Sequence, residues 1–324
     1  MLPVYNAEST IERAVKSILQ QSLMDFELIV VLNGCTDQTQ REVSKLNDKR
    51  IRLFYLPAPN LVNALNYGIS KSLGKYIARM DADDFSHPSR LQAQVDFLQK
   101  NNNIGLVSGK VNYMGNKEEN YGYYLHVKWL NTMKTPTQIY LSRFQECTLP
   151  HPSVMFKKSI GDKYGFYKNG DFPEDFELWN RWLNCGVKMS KVDDIVLDWH
   201  DSHQRLSRNC TNYDASNFSK VKACYFSKWF FKKFQSRIPK IYIWGTGSVV
   251  RRKVQCLIEE GLSISKFIDV KQSQSSSTIH FSELEFDEDI FVLNYVNDRK
   301  GKVEINRHLL KLGFIEGVSF YMME

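Results

Sequence analysis

The chain alternates between two hydrophobic rhythms. Ile11, Ala14, Val15, Ile18 and Leu19 recur at helical spacing and predict a helix over residues 9–21. Residues 26–32 then run apolar, the mark of a strand covered on both faces. The turn Asn33-Gly34-Cys35-Thr36-Asp37 follows, with Thr36 or Asp37 placed to cap the next helix. A strand is predicted over 51–56, a helix over 60–73 closed by Gly74, and a short strand over 76–80. Strand and helix alternating at this spacing imply parallel βαβ units and an α/β fold.

A further helix is predicted over 88–100 and a strand with glycines over 104–113. Residues 114–150 read as irregular and aromatic, with a helix near 137–144. A short strand over 153–156 and a Gly, Tyr and Asn-rich loop over 161–171 lead to Pro173-Glu174-Asp175. Proline and acids in a first turn, with aromatics at helical spacing behind, predict a helix that Gly186 stops.

Ile238-Pro239 marks a boundary. Beyond it come a strand to Trp244, the turn Gly245-Thr246-Gly247, a helix to Glu260 and a strand ending in Asp269. That order is a partial Rossmann fingerprint: Gly245 makes the tight turn, Gly247 allows close approach of a phosphate, and Asp269 falls where a ribose-binding acid belongs. Residues 273–277 form a polar break and 291–293 a third strand. The expected division is a first domain over 1–215, a linker helix over 216–238 and a small Rossmann-like domain over 239–324.

Composition narrows the class. The 324 residues suit about two domains. No apolar run approaches the roughly 18 residues of a membrane span, and no basic, then apolar, leader opens the chain. The six cysteines are scattered, as reduced cytoplasmic thiols are. The net charge of +7 suits a small anionic ligand or an anionic surface and does not call for nucleic acid. Residues 219–237 are basic, with Val221, Tyr225, Trp229 and Phe230 on one side. That helix either packs as a linker or lies on the inner face of the cytoplasmic membrane.

The candidate chemistry begins at Asp81-Ala82-Asp83-Asp84, where a buried strand ends in carboxylates. Unpaired carboxylates are costly to bury, so the cluster belongs at the strand's carboxyl end, in water or on a cation. Asp81 and Asp83 can aim at one Mg2+ or Mn2+ ion. Taken alone, the segment also reads as a turn into a helix at Ser86-His87-Pro88.

Four segments together resemble family 2 glycosyltransferases: Pro3-Val4-Tyr5-Asn6, residues 29–37, residues 64–84, and residues 172–182 around Glu174-Asp175. The resemblance covers roughly the first two thirds of the chain. It implies a glycosyltransferase A-type fold with a parallel-dominated mixed sheet, and an inverting transfer from a nucleotide-diphosphate sugar to a saccharide or lipid-linked acceptor. It carries donor binding onto Pro3, Tyr5, Asn6, Asn33, Asp37, Arg79, Asp81 and Asp83, and the divalent metal onto Asp83 and Asp81. His200 or His203 would complete that metal site. Asp175 matches the catalytic base, and Glu174 beside it would raise its proton affinity. The family also suggests surface polysaccharide or lipopolysaccharide assembly.

The chain departs from the pattern in three places. Leu32-Asn33 stands where the family commonly has two aspartates, and Leu32 cannot hydrogen-bond a base. Gln204-Arg205-Leu206-Ser207-Arg208 lacks the tryptophan of processive synthases, so repeated extension is not expected. Only Met1 and Leu2 precede Pro3, so the first strand is expected to be missing or truncated, leaving an unpaired edge and a poorly anchored start. Two rivals remain: a sugar-phosphate nucleotidyltransferase, which shares the carboxylate and metal logic, and a non-catalytic or truncated sugar-nucleotide-binding protein.

Overall fold

Leu2–Val4 forms a strand, β1, in the computed structural model. It pairs in parallel with β2 (Leu28–Asn33), Leu2 beside Val30 and Val4 beside Leu32. β3 (Ile51–Leu56) lies along the other side of β2, also parallel. The expected gap at the first strand is therefore corrected: Leu2 and Val4 are sealed in the core. On its other side β1 meets β4 (Tyr76–Ala78). Met1 N donates to Ala78 O at 2.7 Å, and Met80 N donates to Met1 O at 3.2 Å. These two bonds make one rung of a parallel ladder. The next rung would need an N–H on residue 3, and Pro3 has none. The ladder stops there and the chain leaves the sheet at Asp81.

The second sheet adds β5 (Phe85–Ser86), β6 (Ile104–Met114), β7 (Met155–Lys157) and β8 (Lys188–His200) in the order β4-β7-β6-β8-β5. β6 and β8 run parallel; the other three pairings are antiparallel. β8 has no counterpart among the predicted strands. Its apolar alternation breaks at Asp193, Asp194 and Ile195, all exposed, where the register against β6 slips. β2 behaves as its apolar run implies: Leu28, Val30 and Leu32 enter one core and Ile29 and Val31 another. In the segment expected to be irregular, the helix foreseen near 137–144 is Pro136–Ser142, and a second, unforeseen helix spans Tyr121–Leu130.

β8 side chains crowd β6 at Gly109. A Cβ there would stand 2.4 Å from Val196 Cγ1 and 3.1 Å from Val192 Cγ2. Valine is stiff about χ1 and both valines are buried, so neither can move aside cheaply. Gly109→Ala should therefore lower stability by about 1–3 kcal/mol. A urea titration measures it, and a midpoint equal to wild type would mean that the strands part without cost.

The structure describes residues 1–201, 208, 210–272 and 274–324. Two units separate by their internal contacts: Met1–Tyr140 with Thr148–Thr211, and Leu141–Cys147 with Asn212–Glu324. The second unit carries β9 (Lys240–Trp244), β10 (Ile264–Asp269), β11 (Thr278–His280), β12 (Ile290–Asn294) and β13 (Phe320–Met322). All pairings are parallel and the order is β11-β10-β9-β12-β13, a Rossmann-like arrangement with its reversal between β9 and β12. Gly245 sits at φ +116°, a conformation that favours glycine. Asp269 accepts hydrogen bonds from the Thr246 hydroxyl and, at 3.0 Å, from Lys271 N, so the acid holds the turn itself. The helix Ala215–Lys233 belongs to this unit. Val221, Tyr225, Phe226 and Phe230 are buried, and Trp229 packs at 5.0 Å on Tyr321. Of the two readings the sequence left open for this helix, its aromatic side follows the packed one, turned into this unit.

Candidate active site

Three acids follow β4. Asp81 and Asp83 are half-buried, and Asp84 is fully buried. Their carboxylate oxygens can all lie within 4.8 Å of one another, and among the described residues they form the one group of three or more with that property. A hard, all-oxygen set of this size suits Mg2+ or Mn2+. Asp84 joins the two acids singled out from the sequence. It is buried because Asp84 Oδ1 accepts the backbone N–H of His200 at 2.9 Å, which pins the end of β8 to the acidic turn. His200 reaches the turn through that backbone bond, while its ring Nδ1 lies 3.3 Å from Asp198 O. Burial, then nearby Arg13, lowers the proton affinity of His200. His203 lies outside the described residues.

Arginines brace the turn from behind. Arg79 is buried and its guanidinium stands 2.7 Å from Asp81 Oδ1. Arg90, also buried, donates to Arg79 O at 2.6 Å. Burial, with repulsion from Arg79 behind it, brings Arg90 down to about 10. Arg13 donates to Asp83 O at 2.6 Å. Arg90 and Arg13 thus hold the turn's backbone, while Arg79 holds the carboxylate of Asp81.

The helix Glu174–Asn184 opens after Pro173. Glu174 is buried, and Asp175 is half-buried with Oδ1 accepting from Phe176 N at 2.7 Å. Burial, then the neighbouring Glu174, pushes Asp175 up to about 6; His151, the Phe176 N–H and Arg79 pull the other way. Tyr167 interacts electrostatically with both acidic groups. Burial raises its proton affinity, and its hydroxyl feels Arg79, Glu174, Asp175 and Asp81 together. Tyr167 also bonds His151 Nε2 at 2.7 Å. Asn66 holds the Tyr167 backbone at both its N–H and its carbonyl.

The remaining sequence-derived residues sit on the loops after β1 and β2. Pro3 is within β1 and Tyr5 is 53% exposed. Asn6 adopts φ 44° and accepts from Thr36 N at 2.8 Å. Asp37 accepts from Glu8 N and from Thr39 N, both at 3.0 Å, and these bonds hold it below its ordinary range despite some burial. Asn33 is buried with Oδ1 on Asn60 N at 2.9 Å. Asn6, Asp37 and Asn33 thus tie loop to loop at the sheet's carboxyl edge. A recess of about 180 Å³ at the start of β6 and β8, lined by Ile104, Gly105, Lys157, Val187 and Lys188, contains none of these acids.

Sequence reasoning passed over Arg13, Arg90, His151 and Tyr167. His151 had a signal, a titratable residue set between Pro150 and Pro152. Tyr167 had none beyond its loop.

Comparison with known proteins completes the picture. An Escherichia coli protein named O-antigen biosynthesis glycosyltransferase WbnJ is 28% identical over 234 residues, covering 68% of this chain and 89% of that one. An uncharacterized glycosyltransferase of Rickettsia bellii is 31% identical over 228 residues, covering 67% of this chain but 32% of its own length. The crystal structure of Staphylococcus aureus TarS 1-349 in complex with UDP-GlcNAc aligns with a TM-score of 0.53 at 15% identity, over 80% of this chain and 70% of that one. The fold is of the glycosyltransferase A type. Residues 1–165 match the family model described as glycosyl transferase family 2, and the chain belongs to that family.

Proposed function

We propose that this glycosyltransferase is an inverting, non-processive enzyme that moves a sugar from a nucleotide-diphosphate donor to a saccharide or lipid-linked acceptor in surface polysaccharide or lipopolysaccharide synthesis. One observation carries the reading: Asp175, held near 6, shares the surroundings of Tyr167 and Arg79 with Asp81. A base with that affinity is ionised at neutral pH and still takes a proton readily. Asp175 accepts the acceptor hydroxyl's proton as the acceptor oxygen bonds the anomeric carbon. The anomeric carbon's bond to the diphosphate breaks, and the diphosphate leaves with the electron pair. Attack from the side opposite the leaving group inverts the carbon. Asp81 and Asp83, with Asp84, would hold a Mg2+ or Mn2+ ion, whose chemistry is to offset the diphosphate's negative charge. Pro3, Tyr5, Asn6, Asn33, Asp37 and Arg79 line the donor's side in this reading.

The E. coli relative's name supports the polysaccharide assignment, and the UDP-GlcNAc bound by TarS makes uridine diphosphate sugars the first donors to try. A panel of sugar nucleotides incubated with and without Mn2+ tests the proposal. Metal-dependent release of nucleoside diphosphate, and a product of inverted anomeric configuration, are expected. No release from any donor, or retained configuration, would overturn it.

The acceptor side has its own support. Tyr121 is 60% exposed, His126 stacks on Trp129 at 5.8 Å, and Tyr123 packs on Trp199 at 5.5 Å. Trp199 precedes His200, whose N–H rests on Asp84. Aromatic faces suit the apolar faces of sugar rings, so Tyr121→Ala should raise the acceptor KM about 2–10-fold. The donor KM should not move. An unchanged acceptor KM would take the helix Tyr121–Leu130 out of acceptor binding.

We assign the chemistry to the domain over 1–215 and an accessory role to 239–324. No helix among the described residues is long and apolar enough to cross a membrane. Peripheral contact on the cytoplasmic side would run through exposed Lys220, Lys228 and Lys232, not through the buried aromatics. Retention on anionic vesicles that is lost in salt is the corresponding measurement.

A further inference from the structure

We propose that Asp198, Asn112 and His87 form a saccharide-binding site on the outward face of β8, beside the acidic turn, for a neutral, hydroxyl-rich sugar ring. The site lies apart from the residues given above to catalysis and donor binding, and it goes beyond the proposed reaction.

The strands bring these groups together. Near the ends of β6 and β8 burial alternates: Val111, Tyr113, Leu197 and Trp199 are buried, while Asn112, Met114, Asp198 and His200 reach solvent. The register pairs Asp198 with Asn112 of β6 on one side and with Phe85 of β5 on the other, so the three form one row of the outward face. His87 donates its backbone N–H to Val196 O at 3.0 Å, which continues the pairing of β5 and returns its side chain to the same face. Two residues along β8, His200 rests its N–H on Asp84, so the row adjoins the acidic turn.

The bonds inside the cluster show which atoms are left over. Asn112 Nδ2 donates to Asp198 Oδ1 at 2.8 Å, and His87 Nε2 stands 2.8 Å from the same oxygen. An ionised carboxylate only accepts, so Nε2 carries a hydrogen. Both donors converge on Oδ1. Among the described residues no hydrogen-bond partner meets Asp198 Oδ2, Asn112 Oδ1 or His87 Nδ1. The side chains of His87 and Asp198 are 30% and 22% exposed, so these atoms are open to a ligand.

All three leftover atoms accept hydrogen bonds, His87 Nδ1 in the neutral ring. The cluster is short of donors, and its ligand must supply them. A phosphate or carboxylate brings none and is repelled by Asp198. A sugar ring supplies one O–H with each hydroxyl, and a carboxylate receives such a bond as a strong, charge-assisted one. Phe85 is half-buried with its ring 6.2 Å from that of His87, and it adds apolar surface of the kind that suits the C–H face of a sugar. The bonds to Oδ1 also fix the acceptors before a ligand arrives, which lowers the ordering cost of binding.

The test is an array of bacterial surface oligosaccharides, probed with the full chain in EDTA and without sugar nucleotide. A subset of the array should retain the wild type. Asp198→Ala should lower the affinity for that subset about tenfold or more, and Asn112→Ala about 2–10-fold, as expected for a charge-assisted and an ordinary hydrogen bond. Asn112→Ala leaves the pair of His87 and Asp198 standing, and it decides the matter if Asp198→Ala does not fold. Metal and donor are absent, so the outcome depends neither on the acidic turn nor on Asp175. No retention of the wild type, or retention only once Mn2+ is restored, would overturn the proposal. So would affinity unchanged in both variants. Affinity lost in Tyr121→Ala alone would place the saccharide on the helix Tyr121–Leu130 and overturn it as well.

Discussion

Asp175→Asn should cost about 100-fold or more in turnover while donor binding stays near wild type. The substitution keeps the side chain's shape and its bond from the Phe176 N–H, but removes the basic oxygen. The wild-type rate should rise with pH through about 6 and level off above it, because the base works only when ionised. Stability should respond in the opposite sense. Folding raises the proton affinity of Asp175, so its contribution to stability is fully present below the ordinary aspartate range and is lost as pH rises through about 6. Above that, the folded protein holds an uncomfortable carboxylate. The asparagine variant should then be more stable by about 1–2 kcal/mol near pH 8, after allowing for partial exposure. Burst and steady-state kinetics with calorimetry at pH 5 and pH 8 check both. A variant that keeps its turnover moves the base elsewhere, with Glu174 next to be tried. A variant destabilised at pH 8 would mean that the carboxylate is welcome where it sits.

The sequence carried the first half of the fold because its elements are locally self-consistent. Asn60 caps the helix Leu61–Lys71 with its own side chain, accepting from Asn63 N at 2.8 Å, and β2 is apolar on both faces because both faces are covered. What escaped was long-range. β1 is too short to register as a strand by pattern. It is stable because it is flanked on both sides, by β2 through the ladder and by β4 through Met1. β8 was lost to its exposed acidic interruption, and with it the reason Asp84 is buried. The helix Tyr121–Leu130 has no side-chain cap, and its aromatics do not separate into a polar and an apolar side. The site followed the same rule. Adjacent residues announced themselves: Asp81 with Asp83, and Glu174 with Asp175. His151 and Tyr167, which stand beside Glu174, come from distant segments that the fold alone brings together.

The second large effect is expected at the acidic turn. Asp83→Asn should weaken Mn2+-dependent donor binding by about tenfold or more, since a neutral amide is a poorer ligand for a hard cation and ligand changes of this kind cost at least that much. The turn should survive the change, because Arg13 grips the carbonyl of Asp83 and not its carboxylate. Asp84 makes the contrasting case. Its carboxylate is fully buried and accepts the His200 N–H, so Asp84→Ala removes both a prospective ligand and the tie to β8. That variant should lose about 1–3 kcal/mol of stability together with metal affinity. Titrating Mn2+ against donor fluorescence, beside urea unfolding of each variant, separates the two roles. Equal Mn2+ affinity in Asp83→Asn and wild type would take Asp83 out of the metal site. Loss of stability in Asp83→Asn as large as in Asp84→Ala would mean that both acids are structural, and that the turn is organised for the fold and not for a cation.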